Sequence, residues 1–410
     1  MSGIVLTASV RQNLLSLQST ADLLSTTQNR LATGNKVNSA LDNPTNYFTA
    51  QGLNNRASDI NNLLDSIGNG VQVLQAANTG ITSLQKLVDT AKSIANQVLQ
   101  APAGYTSKAN VTTAAPTGAG ALATPGTATD LTNAGTNSLQ GQALTFKTST
   151  GTLSLTISNA VGATNVNSID SLNTALTNAG IGLNASFNAA GTITFTSSND
   201  YAAQVITNSA TAPTSADAVA ISGGAAITGL TVNAAVADSA SQTIRSSLVK
   251  QYNDIITQIA TTSQDASFNG INLLNGDTLK LTFNETGKST LNVQGVTFNA
   301  AGLGLAALTS GTDFLDNQSA NAVLTKLGSA STSLRSEASA LGSNLSVVQI
   351  RQDFNKNLIN VLQTGSSNLT LADTNEEAAN SQALSTRQSI ATSALALANQ
   401  SQQSVLKLLQ

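Results

Sequence analysis

The sequence predicts an α+β protein: a long heptad-helix bundle, coiled-coil-like and built from both chain ends, with a β-hairpin and a β-rich strand-strand-helix-strand-strand insert. Three observations carry this reading. Apolar residues recur at seven-residue steps toward both ends, residues 101 to 240 hold only 7 of the chain's 39 charges, and short runs in that middle third alternate apolar residues with Ser or Thr.

The elements follow in order. Val10, Leu14, Leu17, Ala21, Leu24 and Leu31 step by fours and threes, with Gln28 in the one polar slot, which is the seam of a heptad helix. Ile60, Ile67, Leu74, Ile81, Val88 and Ala95 form a second column, flanked by Leu64, Val71, Asn78 and Leu99. That spacing predicts one helix about 60 Å long, at about 1.5 Å per residue, and Pro102 stops it. In the insert, Leu153, Leu155 and Ile157 alternate after a turn at Thr150 and Gly151, and Ile193 and Phe195 alternate likewise. Between them Ile169, Leu172, Ala175 and Leu176 recur at helical steps, closed by Gly180. Leu248, Tyr252, Ile255 and Ile259 mark a shorter helix. A hairpin follows, with Leu279, Leu281 and Phe283 on one arm, a turn from Asn284 to Gly287, and Leu291 and Val293 on the other. Leu327, Leu334, Leu341, Val348, Leu362 and Leu369 repeat the seven-residue step with Asn355 as the polar exception, and Leu384, Ala391, Ala398, Val405 and Leu408 mark the terminal helix. Chain ends usually fray. Ends with strong seams pair with each other or with other copies of the chain.

Composition narrows the function. His, Cys and Trp are absent from the 410 residues, which excludes thiol nucleophiles, disulfides, imidazole or thiolate metal sites and His-dependent triads. Charged residues make up 10% of the chain, against about 25% in ordinary soluble domains, and about two-fifths of the chain is Ser, Thr, Asn or Gln. A net charge of −3 leaves no electrostatic footprint for nucleic acid. No apolar run is long enough to insert in a membrane, and the first 17 residues lack the core of a cleaved signal peptide. Gly287-Lys288-Ser289 imitates the end of a phosphate loop, but Thr282 stands where its first Gly belongs. Gly302-Leu303-Gly304 has no crossover helix after it and reads as a loop. Glu376 with Glu377, and Asp313 with Asp316, sit in polar sequence and read as solvated or helix-opening acids. No catalytic, cofactor or metal site is predicted, and the chain does not read as an enzyme.

The segment Arg30-Leu31-Ala32-Thr33-Gly34-Asn35-Lys36-Val37-Asn38-Ser39-Ala40-Leu41-Asp42-Asn43 closely resembles the flagellin signature. Gly34 suits the left-handed end of the first helix, Asp42 or Asn43 can cap the next, and Pro44 fits a first turn. Phe268-Asn269-Gly270-Ile271-Asn272-Leu273-Leu274 is similar to the family's Phe-Asn-Gly block, and the ending through Ser389, Leu395, Ala398, Asn399, Gln400, Val405 and Leu409 is similar to the flagellin C-terminus. The family-motif residues are thus Arg30, Gly34, Asn38, Ser39, Asp42, Phe268, Asn269 and Gly270. The resemblance covers about 1 to 100 and 241 to 410.

That resemblance implies a self-assembling subunit of the bacterial flagellar filament. It places 1–45 with 372–410 in an inner coiled-coil layer, 46–100 with 241–371 in a bundle bearing the hairpin, and 101–240 outside as a surface-exposed insert. Leu14, Leu17, Leu24, Leu31, Leu395, Val405 and Leu408 are the expected assembly residues. The implied partners are further copies of the chain, a flagellar export chaperone, and the filament cap and junction proteins. The implied location is extracellular, reached through type III export without signal-peptide cleavage. Flagellins recognised by the innate-immune Toll-like receptor usually carry an Arg and a Leu one turn apart on the second-layer helix. Lys86 and Thr90 occupy those places here, which implies poor recognition. Competing readings are a hook-filament junction protein and a filament-displayed adhesin. The adhesin would need an exposed aromatic or charged cluster in the insert, which offers only Tyr105, Phe146, Phe187, Phe195 and Tyr201.

Overall fold

The computed structural model describes residues 8–102, 104–114, 131–132, 139–160, 162–187, 192–214, 218–223 and 229–408. Helix α1 spans Ala8–Thr33 and α2 spans Pro44–Gln100. The insert then holds β1 (Tyr105–Ser107), β2 (Asn110–Thr112), β3 (Ala143–Lys147), β4 (Thr152–Ile157), β5 (Asn165–Val166), α3 (Ile169–Asn178), β6 (Leu183–Phe187), β7 (Ile193–Ser197), β8 (Val205–Asn208), β9 (Ala218–Gly223), β10 (Thr231–Asn233) and β11 (Val236–Ala237). Helix α4 (Ser239–Asp265), the hairpin β12 (Thr278–Thr282) and β13 (Thr290–Gln294), α5 (Asn317–Thr370) and α6 (Thr374–Leu408) complete the chain. At 57 residues α2 is about 85 Å long, because the helix begins sixteen residues before the Ile60 column, at the Asn43 cap and Pro44.

The chain divides into two compact units, one of Met1–Gln72, Leu279–Val293 and Asn344–Gln410, the other of Val73–Thr278 and Gln294–Ser343. In the first, Ala57 and Ile60 of α2 pack with Ile359 and Leu362 of α5, with Leu53, Leu64 and Leu358 around them. The hairpin docks there. Arg56 Nε lies 2.8 Å from Glu285 Oε1, and the Arg351 guanidinium sits 5.9 Å from the centre of the Phe283 ring. Asn355, the polar exception in the α5 column, is buried and donates from Nδ2 to the Phe283 carbonyl at 3.0 Å. Its polarity therefore supplies the donor that a buried carbonyl at the hairpin end requires.

In the second unit the later members of the α2 column, Leu74, Ile81, Val88 and Ala95, and the first members of the α5 column, Leu327, Leu334 and Leu341, are at most 1% exposed. The insert has its own core around Leu144, Phe146, Leu155, Leu172, Leu176 and Phe195, with the Phe146 and Phe195 rings edge to face at 5.4 Å. The side chain of Phe187 lies outside the described residues. The predicted short helix is α3, opened by a capping box in which Ser168 and Ser171 exchange hydrogen bonds and followed by Gly180 at φ +68°. The four predicted strands do not form one sheet: β3 and β4 sit in a five-stranded sheet of order β5-β4-β3-β9-β8, and β6 and β7 in a four-stranded sheet of order β10-β2-β7-β6. Strands β1 and β11 pair antiparallel at the base of the insert. Below them Arg245 of α4, 3% exposed, donates to the Pro102 carbonyl at 3.1 Å and the Phe314 carbonyl at 2.9 Å, and burial lowers its pKa. The Gly287 turn and the Gly302 loop are a hairpin turn and a loop, as their sequences predict.

Candidate functional site

The site that the motifs point to is the pair of terminal helices and the joint that ends them. Helix α1 packs along α6. Arg30, in the last turn of α1, meets Glu377, in the first turn of α6, so the two run antiparallel. On α1 the inward positions are Val10 and Thr27, buried, and Asn13, Leu17, Thr20, Ala21, Leu24 and Arg30, half-buried. On α6 they are Glu377, buried, and Leu384, Gln388, Ala391, Leu395 and Ala398, half-buried.

This face differs from the apolar stripe. Leu17, Leu24 and Leu395 line it, but Leu14 and Leu31 are 39% and 38% exposed, and Asn13 and Arg30 turn inward in their stead, as Thr27 does in place of Gln28. Leu15, Leu23, Ile390 and Leu397 are exposed as well, Leu15 and Leu397 at 67%. The seam is only partly enclosed: Val10, Thr27 and Glu377 are buried, while the other residues between the two helices are half-buried. The contrast with the α2 column, where Ile67, Ile81 and Val88 are fully covered, shows how incomplete the terminal pair is within one chain. The side chains of Val405 and Leu408 lie outside the described residues.

The joint is built from the signature. Gly34 at φ +71° ends α1, in a region where a Cβ would be strained. Asn35 then forms an antiparallel bridge with Leu371, Lys36 N and Val37 N donate to the Thr370 carbonyl, and Ala372 N donates to the Gly34 carbonyl at 2.9 Å. The Asp42 carboxylate accepts from Asn38 N at 2.9 Å, Ser39 N at 2.8 Å and the Ser39 hydroxyl at 3.1 Å. It thus holds the turn, while the cap of α2 falls to Asn43, whose Oδ1 accepts from Asn46 N at 3.0 Å. The turn stands Leu41 out at 96% exposure.

Phe268, Asn269 and Gly270 belong to the second unit, where Asn269 (φ +50°) and Gly270 (φ +80°) form a two-residue turn between reciprocal hydrogen bonds of Phe268 and Ile271. The side chain that organises this block is one that motif reading passes over. Asn272 donates to the Ser263 and Gln264 carbonyls at the end of α4, at 2.8 and 2.9 Å, and accepts from Leu274 N. Glu377 carries no such signal either, since in sequence it is one of two acids opening a helix. Its ion pair, in which the carboxylate is buried and the Arg30 side chain is partly exposed, depends on a residue 347 positions away. The other acid pair serves local structure: Asp313 accepts from Thr309 N, and Asp316 accepts from Ser319 N in the first turn of α5.

The pattern of the bacterial flagellin N-terminal helical region matches residues 5–116, and that of the bacterial flagellin C-terminal helical region matches 324–409. These spans contain α1 and α2 at one end and most of α5 with α6 at the other. The chain belongs to the flagellin family. Among flagellins, FljM of Caulobacter vibrioides is 33% identical over 166 residues, which is 39% of this chain and 58% of that protein. Flagellin A of Rhizobium meliloti is 33% identical over 122 residues, 30% of this chain and 27% of that one. The chain therefore matches little more than half the length of the Caulobacter flagellins. A solved structure of the flagellar cap protein FliD from Escherichia coli, domains D1 to D3, is 14% identical, covers 68% of this chain and 99% of that one, and superposes with a TM-score of only 0.18, too low to bear on the fold.

Proposed function

We propose that this chain is the structural subunit of a bacterial flagellar filament and works by self-assembly. The observation that carries the reading is the half-closed seam of α1 and α6, which leaves leucines exposed on both helices of a flagellin-family chain. Exposed apolar surface of this kind marks an association site, and head-to-tail contacts between identical copies propagate into a filament. In this reading 1–45 with 372–410 form the inner layer, 46–100 with 241–371 the next, and 101–240 faces outward. Leu14, Leu17, Leu24, Leu31, Leu395, Val405 and Leu408 are the assembly residues.

The chain acts outside the cell, after export through the flagellar type III apparatus without cleavage. It meets an export chaperone on the way and the cap and junction proteins in place. Among the described residues no helix is long and apolar enough to cross a membrane. Lys86 and Thr90, both exposed on α2, make it a poor ligand for the flagellin-sensing Toll-like receptor; a strong response from reporter cells would refute this. The assembly reading is tested by electron microscopy as concentration is raised. The wild-type chain forms long, uniform filaments, whereas Leu17→Asp with Leu24→Asp forms none. A persistent wild-type monomer, or normal filaments from the double variant, would sink it.

A further inference from the structure

The seam between α1 and α6 repeats itself. Val10, Leu17 and Leu24 recur every seven residues on one helix, and Leu384, Ala391 and Ala398 on the other. Sliding one helix past its partner by seven residues brings similar side chains opposite each other again, so packing alone discriminates weakly between registers. Thr20, Thr27 and Ala391 make that discrimination weaker still, since small side chains leave no deep holes to be filled by one residue alone.

Charge does not repeat. Arg30 Nη1 lies 3.3 Å from Glu377 Oε1, the Arg30 side chain being 36% exposed, and it is Glu377, 8% exposed, whose charge is buried. A slip of seven residues puts Arg30 opposite Leu384 or Thr370 and leaves Glu377 facing Leu23 or Val37. A buried carboxylate without its partner is strongly unfavourable, so each slipped register is disfavoured by the pair. The arrangement is not the one that maximises stability. Arg30 Nε is buried without a hydrogen-bond partner, and an apolar pair of similar volume in such a place is often as stable or more so. A single polar contact that sacrifices stability while excluding alternatives sets register in coiled coils.

We propose that Arg30 and Glu377 are positioning residues that set the register of the two terminal helices, and through it the surface that each subunit presents for assembly. This rests on the filament reading above. The backbone clasp between Gly34 to Val37 and Thr370 to Ala372 restrains the same end of the pair, but it joins main chain to main chain and does not read side-chain identity along the helices.

The absence of native cysteine makes engineered thiols unambiguous. Leu24→Cys with Leu384→Cys places the two thiols about one heptad from the ion pair on each helix and reports the native register, and Leu24→Cys with Ala391→Cys reports a slip of seven. Oxidation of the full chain in solution, followed by separation of intrachain from interchain products, gives the fraction in each register, and assembly is measured on the same charge variants without cysteine, because Leu24 is itself an assembly residue. Arg30→Glu or Glu377→Arg alone is expected to lower the native-register product at least about threefold, raise the slipped one, and raise the critical concentration for assembly about tenfold, a factor equivalent to about 1.4 kcal/mol. Arg30→Glu combined with Glu377→Arg restores the native product and most of the assembly. Single variants that crosslink like the wild type, or a combined variant no better than the worse single, overturn the proposal. Failure of the wild type to polymerise would overturn the filament reading instead, because the crosslinks in solution still report the register.

Discussion

At the scale of the residue, Asp42 shows how one carboxylate shapes the joint. Its pKa is lowered from the ordinary 3.8 chiefly by the hydrogen bonds from the Ser39 and Asn38 amides. A folded-state value below the unfolded one means that the stabilisation is fully present above about pH 3.8 and is lost as the pH falls through the lowered value. The amides of the 38–43 turn are therefore expected to be protected from hydrogen exchange near pH 5 and to lose protection below 3.8, read by mass spectrometry of the fragment. Asp42→Asn removes the pH dependence, and an unchanged acid profile in that variant would contradict the assignment. The turn was legible in the sequence, because Gly34, Asn43 and Pro44 act locally. The role of Asp42 was half legible: the sequence offers Asp42 or Asn43 as the cap of α2, and only the geometry shows that Asp42 binds backward to Asn38 and Ser39 while Asn43 binds forward into α2.

At the scale of the element, the seven-residue columns of α2 and α5 read directly from the sequence, since a helix buried on one side must repeat near that period. Asn355 interrupts the α5 column for a long-range reason, the Phe283 carbonyl 72 residues away in sequence. Asn355→Leu keeps the bulk but leaves that carbonyl unpaired, so a loss of about 1–3 kcal/mol is expected, measured by denaturant unfolding of the full chain. A loss near zero would show that the carbonyl is satisfied in another way. Helix α1 illustrates the limit of periodicity. Its apolar residues outnumber the places that α6 covers, and their spacing puts Leu14 and Leu31 in the stripe, whereas Asn13, Thr20, Thr27 and Arg30 turn inward beside Leu17 and Leu24. A helix with apolar residues on more than one flank has no single stripe to find.

At the scale of the whole molecule, the insert has a core of its own and touches the rest of the chain at its stem and through the Asp200 carbonyl, which accepts from Gln318 N of α5 at 2.9 Å. Its two connections are held together by the β1 and β11 pairing and by hydrogen bonds from Asp238 N and Gln242 Nε2 to the Gly104 carbonyl. Residues 110–235 can therefore be replaced by a short turn that leaves this stem intact, and the shortened chain is expected to polymerise at a critical concentration within about threefold of the wild type, on the premise that the insert faces outward. Loss of filaments in electron micrographs, with helical content retained by circular dichroism, would show that the insert takes part in assembly. Within the insert, the strands with regular alternation were legible and the short, Ala- and Thr-rich strands β2, β8, β9 and β10 were not, because their pairing partners rather than their own pattern make them strands.

The sequence by itself determined the long helices, the points where they break and the absence of His and Cys chemistry. Period, capping residues, Gly and Pro all act within a few residues of themselves, and an absent side chain is absent in any fold. Only the tertiary structure decided which side of α1 faces α6, that Arg30 meets Glu377, that Asn355 meets the hairpin, and that two adjacent hairpins of the insert enter different sheets. Each of these is a choice of partner across a long stretch of chain, made by the whole set of surfaces that must be covered together, and no local pattern encodes it.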